Sequence, residues 1–203
     1  MALELVVATR NKKKVEEIRR MCEGVPVVLL SPDDFPGCPE VEEDAGTFRG
    51  NAVKKALAVS SYTRRPAVAD DSGLEVYSLH GAPGVFSARY AGEEADDKKN
   101  IEKLLSLMEV TEDNRRSARF VCSIALAFPD GRVETFEGHV GGRIGREQRG
   151  TGGFGYDPVF YPDSHERTFA EMDPTEKDTL SHRGMALKKL RVYLAKELAG
   201  ERM

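Results

Sequence analysis

The sequence predicts an α/β fold, organised as a single two-lobed unit over residues 1–203, and three observations predict it. A short apolar run at Leu3–Ala8 passes directly into a helix-period segment, two long β-favouring segments flank the turn tripeptide Pro129-Asp130-Gly131, and an amphipathic stretch occupies His182 to Leu198. Strands and helices interleave with no internal repeat, linker or low-complexity tract, so one unit is the economical reading.

In chain order, Leu3–Ala8 is short enough for a buried strand, and the segment 11–22 carries Val15, Ile18 and Met21 at helical spacing. Residues 25–30 read as a second strand, and 31–39 as a loop punctuated by Pro and Gly. A helix is expected from about Thr47 to Ser61, with Asn51 and Lys55 one turn apart on one face. The run 66–76 is β-favouring and delivers Asp70 and Asp71 into a Ser72-Gly73 turn. Residues 76–92, with Gly81-Ala-Pro-Gly84 and Ser87-Ala-Arg-Tyr90, read as a long structured loop, and 95–108 as a helix with Ile101, Leu104, Leu105 and Met108 inward. The segments 118–128 and 132–140 form a hairpin about Pro129-Asp-Gly131. A glycine-rich stretch, 141–155, leads into an extended Tyr156–Tyr161, and the final helix turns Ala186, Leu190, Tyr193 and Leu194 inward.

A chain of 203 residues with 40% hydrophobic content can bury a core without staples. Cys22, Cys38 and Cys122 are an odd count without CxxC spacing, which argues against a disulfide framework or structural zinc and for a reducing cytoplasm. No stretch reaches the roughly 18 apolar residues of a membrane span, and the N-terminus lacks a basic export signal. The formal charge of −4 argues for a small-molecule substrate over nucleic acid, whose binding needs a broad basic face.

Adjacent strand residues point to opposite faces, so Asp70 and Asp71 have different jobs, and their repulsion becomes tolerable beside a divalent cation, a cationic side chain or amide donors. The turn Thr9-Arg10-Asn11 and the lysines Lys12, Lys13 and Lys14 place helix amides and positive charge where α/β sheets take an anion, although Thr9 or Asn11 could simply cap the helix. Glu40 to Asp44 brings four carboxylates before a helix, a placement its dipole already favours, with one available as a metal ligand. Gly150-Thr-Gly-Gly-Phe-Gly155 has the letters of a dinucleotide fingerprint but no following helix, so nicotinamide binding is rejected. Ending in Phe154, Gly155, Tyr156 and Asp157, it suits backbone amides and an aromatic ring holding a flat base. His182 and Arg183 put cations at a helix N-terminus, a cost that an electron-rich ligand would offset. No P-loop and no metal spacing among the four histidines is present.

Together these segments resemble the inosine triphosphate pyrophosphatase family over nearly the whole chain: Val7-Ala-Thr-Arg-Asn-Lys-Lys-Lys14, Glu42-Glu-Asp-Ala-Gly-Thr-Phe48, Ala69-Asp-Asp-Ser-Gly73, Gly81-Ala-Pro-Gly84 with Ser87-Ala-Arg-Tyr90, Gly150-Thr-Gly-Gly-Phe-Gly-Tyr-Asp-Pro158 and Ser181-His-Arg-Gly184. The resemblance implies a two-lobed fold around a long mixed twisted β-sheet with flanking helices. It implies Mg²⁺-dependent hydrolysis of ITP, dITP or XTP to a nucleoside monophosphate and pyrophosphate, and a homodimer. Residue by residue, it implies triphosphate binding by Thr9 to Lys14, Mg²⁺ held by Glu42 or Glu43 with Asp70 and Asp71, and Asp71 as general base with Lys14 and Lys55 assisting. Substrate contact falls to Ser72, and recognition of a 6-keto purine to Phe154, Gly155, Tyr156, Asp157, Lys177, His182 and Arg183. Arg10 stands where the family often has Gly, and Gly50 where it commonly has Glu, which adds weight to Glu42 and Glu43 as ligands. Two other readings use the same residues: a sensor that binds a nucleotide without turnover, and a pyrophosphatase for modified pyrimidine nucleotides.

Overall fold

The computed structural model describes residues 2–200. Its elements are β1 (Leu3–Val7), α1 (Lys12–Met21), β2 (Val27–Leu30), α2 (Phe48–Thr63), β3 (Ala67–Val76), α3 (Asp97–Leu107), β4 (Ser117–Ala127), β5 (Val133–Ile144), β6 (Phe160–Pro162), α4 (Pro174–Leu180) and α5 (His182–Leu198). The strand order is β2-β1-β3-β4-β5-β6. β1 runs parallel to β2 and to β3, whereas β5 and β6 are antiparallel, so the sheet is mixed. Among the described residues no helix is long and apolar enough to cross a membrane.

The chain divides into two compact units. The first contains the chain through Asp71, then Cys122–Gly138, then the chain from Arg183; the second contains Ser72–Val121 and His139–His182.

The first unit shows how alternation sets two faces. Leu5, Val7, Val68, Ile124 and Leu126 pack with Ile18 of α1 and with Ala186, Leu187, Leu190 and Leu194 of α5. Their strand neighbours Val6, Ala8, Ala67, Ala69, Ala125 and Ala127 pack on Ala52, Ala56 and Val59 of α2. The α2 side is built mostly from alanine, which lets that helix lie close to the strands, while the larger residues fill the other side. Each helix has a local start signal. Asn11 Oδ1 accepts from the Lys13 and Lys14 amides at 3.0 and 3.3 Å, and Thr47 Oγ1 accepts from the Gly50 amide at 3.0 Å.

The second unit centres on Leu74, Val76, Ile101, Leu104, Met108, Phe120, Phe160 and Phe169. The Phe120 and Phe160 rings meet edge to face at 4.7 Å between centroids. Buried Arg116 donates to the Ile144, Met108 and Gly145 carbonyls at 2.7–2.8 Å, which ties strand ends and a helix end without a carboxylate.

Three expectations are corrected. Asp70 and Asp71 do not enter a Ser-Gly turn: β3 runs through Ser72 and Gly73 to Val76, because buried Leu74 and Val76 continue the alternation and packing overrides turn propensity. β5 extends into the glycine-rich stretch as far as Ile144, where Gly142, Arg143 and Ile144 find partners in β6. The segment 156–161 is not uniformly extended, since Asp157–Val159 forms a 3₁₀ turn with Pro158 in it before the short β6. Helix α4, which begins on Pro174, was unanticipated.

Candidate active site

The alternation that builds the first unit also separates the aspartate pair. Asp70 falls in step with Val68, on the side of α1 and α5, and there Lys14 Nζ lies 3.1 Å from its Oδ2. Arg183 Nε and Nη2 approach the same oxygen at 3.2 and 3.1 Å, while Arg183 Nη1 donates to Glu17 Oε2 at 2.7 Å. Burial alone would raise the Asp70 pKa, but Lys14, Arg183 and Lys55 together hold it well below the usual carboxylate range. Asp70 is therefore held as an anion at neutral pH, set against two cations.

Asp71 falls in step with Ala67 and Ala69, on the α2 side. Its Oδ2 accepts from Asn51 Nδ2 at 2.9 Å, and Asn51 Oδ1 in turn accepts from the Ala45 amide at 2.9 Å, which fixes the amide orientation. Burial pushes the Asp71 carboxyl up and Glu43 adds like-charge repulsion; Lys55, the Asn51 hydrogen bond and Lys14 oppose them, and the result is about 6. Lys55, one helical turn beyond Asn51, donates to Glu43 Oε1 at 2.5 Å and to the Asp70 carbonyl at 2.7 Å. Burial would lower its pKa, yet Asp70, Asp71 and Glu43 outweigh that and raise it, so Lys55 remains cationic. One acid near neutrality beside a fixed cation is an arrangement suited to general base catalysis.

The N-terminus of α1 carries Lys12 and Lys13 exposed, with no acid in its first turn. Positive charge there opposes the helix dipole, a cost that an anionic ligand removes. Thr9 Oγ1 accepts from the Asn11 amide at 3.2 Å and shapes the turn. Arg10 points instead to loop acids, 3.2 Å from Asp33 and 3.9 Å from Glu40, so its charge is partly neutralised. At Gly50, a Cβ would lie 2.8 Å from Ala45 Cβ and 2.9 Å from Thr47 Oγ1. The capping loop thus occupies the space a side chain would need.

In the second unit, buried Lys177 Nζ donates to Asp157 Oδ2 at 2.6 Å and sits 4.9 Å from the centre of the Phe154 ring. The Phe154 amide donates to the same carboxylate at 2.8 Å. His182 is buried and stacks on Phe120 at 4.6 Å with the rings 7° apart. Tyr156 Oη donates to the Ser87 carbonyl at 2.9 Å, and its burial raises the phenol pKa. The amides of Gly152, Phe154 and Gly155 all donate to protein acceptors, Ala170 O, Asp157 and Asp97. Those three amides are therefore committed to shaping the loop. Gly153 has a φ of +68°, and a Cβ there would lie 2.1 Å from Asp157 Oδ2. Gly153→Ala is expected to cost about 2 kcal/mol from backbone strain. The melting temperature should then fall by about 4–8 °C.

The predicted residues thus separate by unit. Thr9 to Lys14, Glu43, Lys55, Asp70, Asp71 and Arg183 lie in the first, and Ser72, Phe154, Gly155, Tyr156, Asp157, Lys177 and His182 in the second. Ser72 is half-buried in β3, and Glu42 is exposed while Glu43 is turned onto Lys55. Arg183, expected with the base-recognition residues, has its guanidinium on Asp70 and Glu17. Sequence reasoning omitted Glu17, although it lies three residues beyond Lys14 on the same face of α1, and left Asn51 unassigned beside Lys55.

The four carboxylates Glu42, Glu43, Asp70 and Asp71 do not converge: among the described residues no three His, Cys, Asp or Glu side chains form a metal-holding group. Opposite strand faces explain the separation of Asp70 from Asp71. A pair remains in which Asp71 feels Glu43 as a like charge. That donor set suits Mg²⁺, which keeps waters and takes one or two carboxylates together with substrate phosphates.

A family model described as the Ham1 family matches residues 5–193. Among curated proteins, the chain is 51% identical over 201 residues to the dITP/XTP pyrophosphatase of Desulforamulus reducens, covering 97% of this chain and 100% of that one. It is 52% identical over 190 residues to the protein of the same name from Geobacter sulfurreducens, covering 94% and 96%. Among solved structures, a HAM1 protein from Coxiella burnetii superposes with a TM-score of 0.88 at 43% identity, covering 96% of this chain and 99% of that one.

Proposed function

This chain belongs to the Ham1 family, and from that premise we propose that it hydrolyses non-canonical purine nucleoside triphosphates, dITP and XTP among them, to the monophosphate and pyrophosphate. The observation that carries the proposal is Asp71: a buried carboxyl held by Asn51, lifted to about 6, beside a lysine kept cationic.

Asp71 takes the proton of the attacking water as general base, from the position in which Asn51 holds its carboxylate. Asn51 fixes which oxygen faces the water. Lys55 and Lys14 neutralise charge on the transferring phosphoryl group, and the α1 N-terminus with Thr9, Asn11, Lys12 and Lys13 receives the rest of the triphosphate. Asp70 does not ligate metal in this reading. It holds Lys14 in place, with Arg183 and Glu17 behind it. Glu43 and Asp71 would hold Mg²⁺, which supplies positive charge to the phosphate oxygens when bound.

In the second unit, Lys177 and His182 act as fixed donors toward a purine O6, Phe154 gives the base a face to stack on, and Asp157 holds Lys177. A donor aimed at O6 is left unpaired against the amino group of adenine. His182→Ala is expected to lower the ITP-to-ATP ratio of kcat/KM by about tenfold, and an unchanged ratio would remove His182 from base selection. We also place the chain in the cytoplasm as a homodimer, with residues 81–92 at its surface and the two units acting as one domain.

The deciding experiment is pyrophosphate release from ITP, XTP, dITP, GTP, ATP and methylated pyrimidine nucleotides, with and without Mg²⁺. Mg²⁺-dependent release from ITP, XTP and dITP well above that from GTP and ATP supports the proposal. Binding with no product would make the chain a sensor, and preference for the pyrimidines would move it to the other pyrophosphatase class.

A further inference from the structure

The structure assigns Asp97, in the first turn of α3, the role of a positioning residue that sets Phe154 for the base; this rests on the base-recognition reading above. Phe154 lies between Gly153 and Gly155, whose φ values of +68° and +58° put both in the left-handed region. Glycine adopts that region at little cost but also leaves it easily, so the ring between them is placed only as well as the flanking peptides are pinned. The pins are specific. The Gly152 amide donates to Ala170 O at 3.0 Å, the Phe154 amide to Asp157 Oδ2 at 2.8 Å, and the Gly155 amide to Asp97 Oδ2 at 2.8 Å.

Asp97 is the pin that the catalytic reading leaves unexplained. It is exposed and takes no part in the core. It is not needed to start its helix either, because Asp96 Oδ1 already accepts from the Lys98 and Lys99 amides at 2.9 and 3.1 Å. Its carboxylate instead reaches 58 residues along the chain to the peptide that follows the ring. The next residue, Tyr156, is tied by its hydroxyl to Ser87, so the C-terminal side of Phe154 is braced by the segment that ends in α3. Without Asp97, Gly155 can turn and the ring loses its fixed placement over Lys177, while the buried Lys177–Asp157 pair persists.

Asp97→Ala is expected to raise KM for XTP about fivefold while kcat changes by less than about twofold. Asp97→Asn, which keeps an acceptor oxygen, should restore KM to within about twofold. A second readout needs no nucleotide. The chain has no tryptophan, so Phe154→Trp places a single indole in the loop. Acrylamide quenching of that indole should rise about twofold when Asp97→Ala is added and return with Asp97→Asn. Equal quenching in all three proteins would overturn the assignment. Because quenching is read without substrate, it decides the placement of the ring even if the chain released no pyrophosphate.

Discussion

Replacing Asp71 by asparagine is expected to abolish turnover while making the metal-free protein more stable at pH 7. The rate should fall by about 10³-fold, because asparagine cannot accept the proton that a positioned base removes in the transition state. Stability should move the other way. The folded pKa of about 6 lies above the unperturbed 3.8, so the folded protein holds that proton more tightly than the unfolded chain does. The contribution of Asp71 to stability therefore declines as pH rises from about 4 to about 6 and stays at its lowest above that. The shift of roughly two units corresponds to about 3 kcal/mol when the ion is fully formed. Asparagine has the same shape and no charge. In EDTA, urea unfolding should find the variant more stable by about 1–3 kcal/mol at pH 7 and nearly equal to the parent at pH 4. A near-normal rate would refute the base assignment, and a variant less stable at pH 7 would refute the origin of the raised pKa. Added Mg²⁺ should stabilise the parent more than the variant, since the ion relieves the repulsion between Glu43 and Asp71 that asparagine has already removed.

That the two aspartates face opposite ways was legible in the sequence. A period of two puts Asp70 and Asp71 on opposite faces wherever β3 ends, and the structure gives Asp70 to α1 and α5 and Asp71 to α2. Asn51 and Lys55 were also readable as one face of a helix. The end of β3 was not. Asp-Asp-Ser-Gly carries strong turn preference, and only packing of Leu74 and Val76 within the second unit keeps the strand going. The partners of the Arg183 guanidinium were hidden for a related reason. Its position at a helix start advertises an anion, but nothing local says which one, and its partners Glu17 and Asp70 are 166 and 113 residues away. Distant ion pairs leave no periodic trace in a sequence, whereas faces and caps do.

Removing the Arg183 guanidinium tests that distant pairing most severely. Arg183→Met keeps much of the volume and stem but leaves buried Asp70 and Glu17 without their shared partner. A loss of about 3–5 kcal/mol is expected, the usual result of breaking a buried pair on one side. Its pH dependence identifies the cause. In the parent, the Asp70 pKa is depressed, so its contribution is present above about pH 4 and is lost as pH falls below the unfolded value of 3.8. In the variant, burial is offset by Lys14 and Lys55 alone, so Asp70 takes up a proton at higher pH and the deficit shrinks on acidification. A purely steric lesion would give the same deficit at pH 4 and pH 7. Adding Asp70→Asn supplies the control: with the uncompensated charge gone, the double variant should be more stable than the sum of the single losses by at least about 1 kcal/mol. Activity should fall with the charge network as well. Asp70 then holds Lys14 without the opposing guanidinium, and a displaced Lys14 would raise KM for the triphosphate; unchanged KM in a folded Arg183→Met protein would mean that Lys14 is positioned by α1 alone.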